Sequence, residues 1–169
     1  MKRLALIWLF CLVCWPIAAS GRLEIPLDWH TIKLAPMDGP TGSTPDPTDP
    51  NQFCASLTGN TLLIETQQGE VSYVVIRTDF CEMTGEDYFY ALSTDSVSCP
   101  ITRPGTYYIQ IGHWDTDFVG VLIVKSIVCS DFEGRYYGAA LPENMPAGYY
   151  FVTLETNLGN STSKYYLVK

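Results

Sequence analysis

Basic residues and histidine are scarce in this chain. It carries 10 Lys and Arg against 18 Asp and Glu, with two histidines in 169 residues. The resulting formal net charge of −8 repels nucleic-acid phosphates and anionic lipid headgroups, so both classes of partner are disfavoured. A zinc site is also disfavoured, because the four cysteines after residue 20 contain no C-x-x-C spacing and no histidine lies near them in sequence.

Sequence motifs of catalysis are absent as well. The chain has no Gly-x-Ser-x-Gly elbow, no His-Glu-x-x-His pair and no phosphate-binding loop. Glu82, Glu86 and Asp87 could form an acidic pair for hydrolysis, but they lie in one loop of a chain rich in acids. The sequence therefore predicts a protein that is not an enzyme, with no catalytic residues, no metal and no cofactor; a hydrolase is the alternative.

Long apolar runs are missing after residue 16, so no membrane span is predicted. Residues 1–20 have the form of a signal peptide. Lys2 and Arg3 precede an apolar run from Leu4 to Pro16, and a small-residue cleavage site closes the segment. Cleavage before Gly21 would leave 149 residues with 8 basic and 18 acidic side chains, a net charge of −10. We expect an exported, periplasmic or extracellular protein; a retained anchor is the alternative.

A 3.6-residue apolar period of helical length is not found in the remaining chain, which argues against a parallel α/β fold. Short alternating runs bounded by polar turns predict seven strands and an all-β antiparallel sandwich. The predicted strands are 53–57, 61–65, 71–77, 87–93, 97–101, 106–111 and 118–125.

Two stretches resemble each other at a shift of 43 residues. Pro104–Ile111 and Pro146–Leu154 each read as a turn that enters a strand through Gly and Tyr-Tyr, and each is followed by a strand that ends in Val-Lys. Because side chains alternate between the faces of a strand, the predicted interior positions are Tyr107, Ile109 and Ile111, and then Tyr150, Val152 and Leu154. These stretches are either an internal repeat or two ordinary hairpins.

The segments between these features complete the predicted organisation. Residues 21–52 are interpreted as a Pro-rich linker, because proline cannot donate to a strand ladder; an ordered loop draped over the domain is the alternative. Residues 53–127 are the predicted sandwich. Residues 128–169 form a predicted C-terminal β-hairpin extension, which would pair with an edge strand or cover one face.

Four sequence patterns are similar to those of the family called domain of unknown function 3244. They are Leu-Thr-Gly-Asn-x-Leu-x-Ile, Val-x-Tyr-Val-Val-Ile, Gly-Thr-Tyr-Tyr-Ile-x-Ile and Phe-Val-Gly-Val-Leu-Ile-Val, between Leu57 and Val124. The resemblance covers about Leu23 to Val124. It implies a small exported Bacteroidetes protein with an immunoglobulin-like sandwich, and it implies no activity.

The last 42 residues resemble the C-terminal sorting domains of the type nine secretion pathway. The shared elements are Gly134-Arg135, Leu141-Pro142, Pro146-Ala147-Gly148-Tyr149-Tyr150 and a final strand that ends in Lys169. The segment has about half the length of such a domain. The resemblance implies, as an alternative function, a secretion passenger with a truncated sorting tail.

Two further hypotheses concern single residues. Cys81 and Cys99 are expected at the same end of the sandwich, so they are the first candidates for a disulfide; Cys54 and Cys129 would then pair or stay free. Tyr108, Tyr149 and Phe151 occupy outward strand positions and form a possible binding face for a protein or a glycan, unless the extension is buried there. Oligomeric state is not indicated by the sequence.

Overall fold

The computed structural model describes residues 22–37, 53–66, 71–80, 88–94, 96–113, 116–141 and 144–168. These residues form strands and turns, and none of them is helical. A helix that could cross a membrane is accordingly not found in them. The strands are β1 (Arg22–Pro26), β2 (Trp29–Ile32), β3 (Ala35–Met37), β4 (Phe53–Thr58), β5 (Thr61–Thr66), β6 (Val71–Thr78), β7 (Phe89–Thr94), β8 (Ser96–Pro100), β9 (Gly105–His113), β10 (Thr116–Asp131), β11 (Tyr136–Gly138), β12 (Gly148–Thr156) and β13 (Gly159–Leu167).

The strands form two antiparallel sheets. Sheet A has the order β1-β13-β12-β10-β9-β6-β7, with β3 and β11 also paired to β10, and sheet B has the order β2-β4-β5-β8. The predicted all-β antiparallel sandwich with a C-terminal β extension is confirmed. One core cluster joins the inner faces of both sheets, and all six predicted interior residues from Tyr107 to Leu154 belong to it.

Strand β10 organises sheet A because both of its edges are occupied along most of its 16 residues. One edge pairs with β9 and then with β11, while the other pairs with β3 and then with β12. A register shift between Val124 and Ser126 marks the change of partners. Leu122 and Val124 are buried before this bulge, and Ile127 and Cys129 are buried after it. The extra residue therefore keeps the apolar side of the strand on the core.

The predicted boundary between residues 127 and 128 falls inside β10. The C-terminal residues pair with the second half of this strand, as expected for an extension that pairs with the first sandwich. They also supply side chains to the same core, among them Tyr150, Leu154 and Tyr165. Residues 53–127 and 128–169 thus both contribute strands to sheet A and side chains to one interior.

The predicted linker differs from the structure in its first half. Residues 22–37 form β1, β2 and β3, which pair with β13, β4 and β10 respectively. The prolines do not prevent this, because Pro26 ends a strand at the edge of sheet A and Pro36 lies in a strand of three residues. The segment also crosses the inner side of β10 at Gly120, where an added Cβ would lie 2.7 Å from Leu34 Cδ2. Residues 38–52 lie outside the described residues.

The turn between β4 and β5 is bonded to β13 through buried polar groups. Ser161 Oγ donates to the Gly59 carbonyl at 2.6 Å, and the Asn60 amide donates to Ser163 Oγ at 3.1 Å. Tyr165 donates its hydroxyl to Asn60 Oδ1 at 2.7 Å. Burial raises the pKa of Tyr165 to about 12. These bonds connect the two sheets, and they explain why the inner side of β13 carries serines rather than aliphatic side chains.

The two resembling stretches each contain the same type of hydrogen bond. Tyr107 donates its hydroxyl to the Arg103 carbonyl at 2.6 Å, and Tyr150 donates to the Pro146 carbonyl at 2.9 Å. Each bond reaches four residues back, and the two pairs are related by the predicted shift of 43. A buried tyrosine that bonds to the chain a few residues upstream is a feature of immunoglobulin-type sandwiches. The two stretches are therefore equivalent in local structure.

Replacement of Gly59 by Ala tests the contact between the β4–β5 turn and β13. Gly59 has a φ of 58°, and an added Cβ would overlap Ser163 Oγ. We expect Gly59→Ala to lower the free energy of unfolding by roughly 2–4 kcal/mol, measured by urea denaturation. The matched control is Gly134→Ala, where φ is 80° but nothing lies within 4 Å; it should cost only about 1 kcal/mol of backbone strain. Equal losses for both variants would contradict the proposed contact.

Removal of residues 128–169 tests whether the C-terminal half is needed for folding. The truncated chain loses β11–β13 and the last four residues of β10, and it leaves residues 124–127 and β1 without their partners β12 and β13. We expect it to lose near-ultraviolet circular dichroism and cooperative thermal unfolding, while a chain that lacks only residues 1–20 keeps both. A truncated chain that still unfolds cooperatively would show that the residues before 128 fold without the C-terminal strands.

Candidate binding face

The outer face of sheet A carries all three residues of the predicted binding face, but in two separate places. Tyr108 on β9 lies opposite Val121 of β10, whereas Phe151 on β12 lies opposite Ser130 of β10. These two positions are nine residues apart along β10, or about 30 Å at roughly 3.3 Å per residue. Tyr108 therefore belongs to one surface, and Tyr149 and Phe151 belong to another.

The surface around Tyr149 is already engaged by its neighbours. The Tyr149 ring lies 4.8 Å from the Tyr166 ring between centroids, and Lys164 Nζ lies 4.1 Å from the centroid of Tyr149. Phe151 is only partly exposed. Tyr149 is 46% exposed, but a tilted ring on one side and an ammonium group over the ring already contact its aromatic face.

Tyr108 lies in a different setting. Its side chain is 51% exposed, and within the described residues no ring or cation stacks on it. It borders a depression of about 250 Å³ in the outer face of sheet A. We call it the Tyr108 depression. Its lining includes the side chains of Arg77, Tyr108, Gln110, Val119 and Val121.

A hydrogen-bonded group fixes one wall of the Tyr108 depression. Tyr73 donates its hydroxyl to Asp117 Oδ1 at 2.7 Å, and Gln110 Nε2 donates to Asp117 Oδ2 at 2.8 Å and to the Tyr73 hydroxyl at 3.2 Å. Burial, and then the bond to Asp117, raises the pKa of Tyr73. The Tyr73 ring lies across Gly112, where an added Cβ would overlap it. Gln110 is therefore held in one orientation.

Sequence reasoning missed this group, although one signal was present. Tyr73, Gly112 and Asp117 lie side by side on β6, β9 and β10. A glycine inside a strand often marks the close approach of a neighbouring group. Gly112 marks such an approach here, because the Tyr73 ring lies against it. Only the pairing of β6 with β9 identifies Tyr73 as the neighbouring group.

The two described core cysteines have free thiols. Cys99 on β8 and Cys129 on β10 are both buried. Burial raises the pKa of the Cys99 thiol to about 11 and also raises that of Cys129. Such thiols are poor nucleophiles at neutral pH. The predicted disulfide between Cys81 and Cys99 is not seen, because Cys99 has a free thiol in this structure. Cys81 and the acidic residues Glu82, Glu86 and Asp87 lie outside the described residues.

Two exposed aromatic side chains lie where β10 connects to β11, Phe132 in the loop and Tyr136 at the start of β11. Phe132 is 80% exposed and Tyr136 is 67% exposed. Asp131 holds this loop, since its carboxylate accepts bonds from the Glu133 and Arg135 amides, the Arg135 guanidinium and the Tyr137 hydroxyl. Desolvation acts to raise the pKa of Asp131, but the bonds from Arg135 and Tyr137 outweigh it and lower the pKa to about 2.

Neutralisation of Asp131 should change the dependence of stability on pH. The native pKa lies below the ordinary value of 3.8, so the stabilising contribution is present above about pH 4 and is lost as the pH falls toward 2. We expect Asp131→Asn to lower the urea midpoint at pH 7 and to flatten its decline between pH 5 and 2. The control is Glu133→Gln, because Glu133 is exposed and pairs with the exposed Arg135 guanidinium. An unchanged pH profile for Asp131→Asn would contradict this role.

Comparisons of the chain with protein-family models, with curated proteins and with solved structures find no match. The resemblances to domain of unknown function 3244 and to sorting domains therefore stay predictions from the quoted motifs.

Proposed function

We propose that this chain is an exported, non-catalytic β-sandwich module that binds a protein or glycan partner through the outer face of sheet A. The proposed binding site is the Tyr108 depression. The observation that carries it is a half-exposed tyrosine, without a stacking partner among the described residues, in the middle of a sheet and beside a fixed polar group. Exposed aromatic side chains held on a rigid sheet are a common basis of recognition.

The side chains at the depression are suited to binding rather than to bond cleavage. An aromatic ring, an amide and a guanidinium group can orient a ligand by stacking and hydrogen bonding. The carboxylate in this group, Asp117, already accepts hydrogen bonds from Tyr73 and Gln110. Hydrolysis by paired carboxylates needs a second acidic group at a defined distance, and the described residues that line the depression do not include one.

Export is supported by the sequence pattern of residues 1–20. Cleavage before Gly21 would leave every described strand intact, because β1 begins at Arg22. A separable sorting tail, the alternative for residues 128–169, has less support. Its strands pair with β10 and with β1, and their inner side chains lie in the common core.

Loss of the Tyr108 ring tests the proposed function. The purified protein is applied to immobilised polysaccharides, to mucin-type glycoproteins and to the same glycoproteins after enzymatic deglycosylation. We expect retention on at least one surface, reduced at least about tenfold by Tyr108→Ala, which corresponds to about 1.4 kcal/mol. Tyr90→Ala is the matched control, because Tyr90 is 55% exposed on the same sheet but does not line the depression.

Tyr90→Ala should bind like the unchanged protein. Retention that falls equally in both variants, or in neither, would rule out the Tyr108 depression as the binding site. Thermal unfolding of each variant shows whether a loss of retention comes from a loss of fold.

A further inference from the structure

We infer that the ligand of the Tyr108 depression is a neutral pyranose sugar, either as a single ring or as one unit of a glycan. This inference rests on the proposed function and specifies its ligand. Three features of the depression carry it: a hydrogen-bond acceptor that is held in place, an aromatic ring beside aliphatic groups, and the balance of charge.

The acceptor is the side-chain oxygen of Gln110. An ionised carboxylate only accepts hydrogen bonds, so the atom of Gln110 that faces Asp117 at 2.8 Å must be the amide nitrogen. The same nitrogen also contacts the Tyr73 hydroxyl, so both of its hydrogens have partners. Gln110 Oε1 is left without a partner among the described residues, and it is held by the bonds of its own amide. The depression thus offers a fixed acceptor to a ligand that donates O–H groups.

The apolar part of the depression complements the other half of a sugar. A pyranose ring has hydroxyl groups around its rim and a patch of C–H groups on its face. The C–H patch can stack on an exposed aromatic ring, as Tyr108 provides, while Val119 and Val121 supply aliphatic surface beside it. A purely apolar ligand would leave Gln110 Oε1 without a donor, and such an unpaired polar group weakens binding.

Charge and size restrict the ligand further. Asp117 does not line the depression, but its carboxylate bonds to the lining residue Gln110, and the chain carries a formal net charge of −8. Anionic sugars are therefore disfavoured relative to neutral ones, although Arg77 also borders the depression. The volume of about 250 Å³ lies below the roughly 300–1,000 Å³ of pockets for drug-sized ligands. A single ring fits this space better than an extended ligand.

The test uses the protein with methyl glycosides of glucose, galactose, mannose and N-acetylglucosamine, and with glucuronic and galacturonic acids as charged counterparts. Saturation-transfer NMR detects weak binding, and calorimetry measures affinity for the matching neutral oligosaccharide. We expect at least one neutral sugar to bind at least about tenfold more tightly than its uronic acid. Tyr108→Phe should keep most of the affinity, since the ring remains, while Tyr108→Ala should lose about tenfold or more.

Two further variants separate the roles of ring and acceptor. Gln110→Met keeps the length of the side chain but removes the acceptor, so it should weaken binding several-fold without abolishing it. Tyr90→Ala should bind like the unchanged protein. Thermal unfolding of each variant shows whether a loss of affinity reflects a loss of fold.

The outcomes distinguish the two proposals. If no neutral sugar binds, or if the uronic acids bind better, the sugar inference is wrong. Tyr108-dependent retention on deglycosylated proteins would then leave the binding function standing with a protein as partner. If Tyr108→Ala changes neither sugar binding nor retention on any surface, both the inference and the proposed function are wrong.

Discussion

The structure depends on keeping the 16-residue strand β10 apolar on one face and paired along most of both edges. Four partner strands are needed for this, and the bulge near Ser126 corrects the alternation where the partners change. Without the extra residue, the second half of the strand would turn Ile127 and Cys129 toward solvent. The first half of the strand supplies Val119 and Val121 to the Tyr108 depression. The candidate site therefore lies on an element that cannot shift without disturbing the core.

The polar contacts between the sheets complement this constraint. Aliphatic packing alone would let the β4–β5 turn slide along β13, because the hydrophobic effect has little directional preference. The bonds from Ser161, Ser163 and Tyr165 to Gly59 and Asn60 fix one position. Each of these groups is buried and has a partner, so the cost of burying it is offset. A few directional contacts within an apolar interior thus set the position of one sheet relative to the other.

Much of the fold follows from local pattern, and much of the site does not. Two-residue alternation identified the inward positions of β9 and β12 because it depends only on neighbours along the chain. The same alternation put Tyr108 and Tyr149 on an outer face but could not separate them, since their distance depends on the bulge and on strand order. The prolines from Pro36 onward led residues 21–52 to be interpreted as linker, because proline density does not show whether a strand lies at an edge. The orientation of Gln110 depends on Asp117 and Tyr73, which come together only through pairing.

The pairing of β1 with β13 has a consequence for synthesis. The first described strand and the last are neighbours in sheet A, so native pairing of residues 22–26 must wait until residues 163–167 are available. A chain that emerges from a ribosome or a translocation pore in N- to C-terminal order cannot close this sheet early. Such sequence-distant contacts slow folding. The edge of sheet A that β1 forms would therefore stay unpaired until β13 is released, although the local hairpins can form earlier.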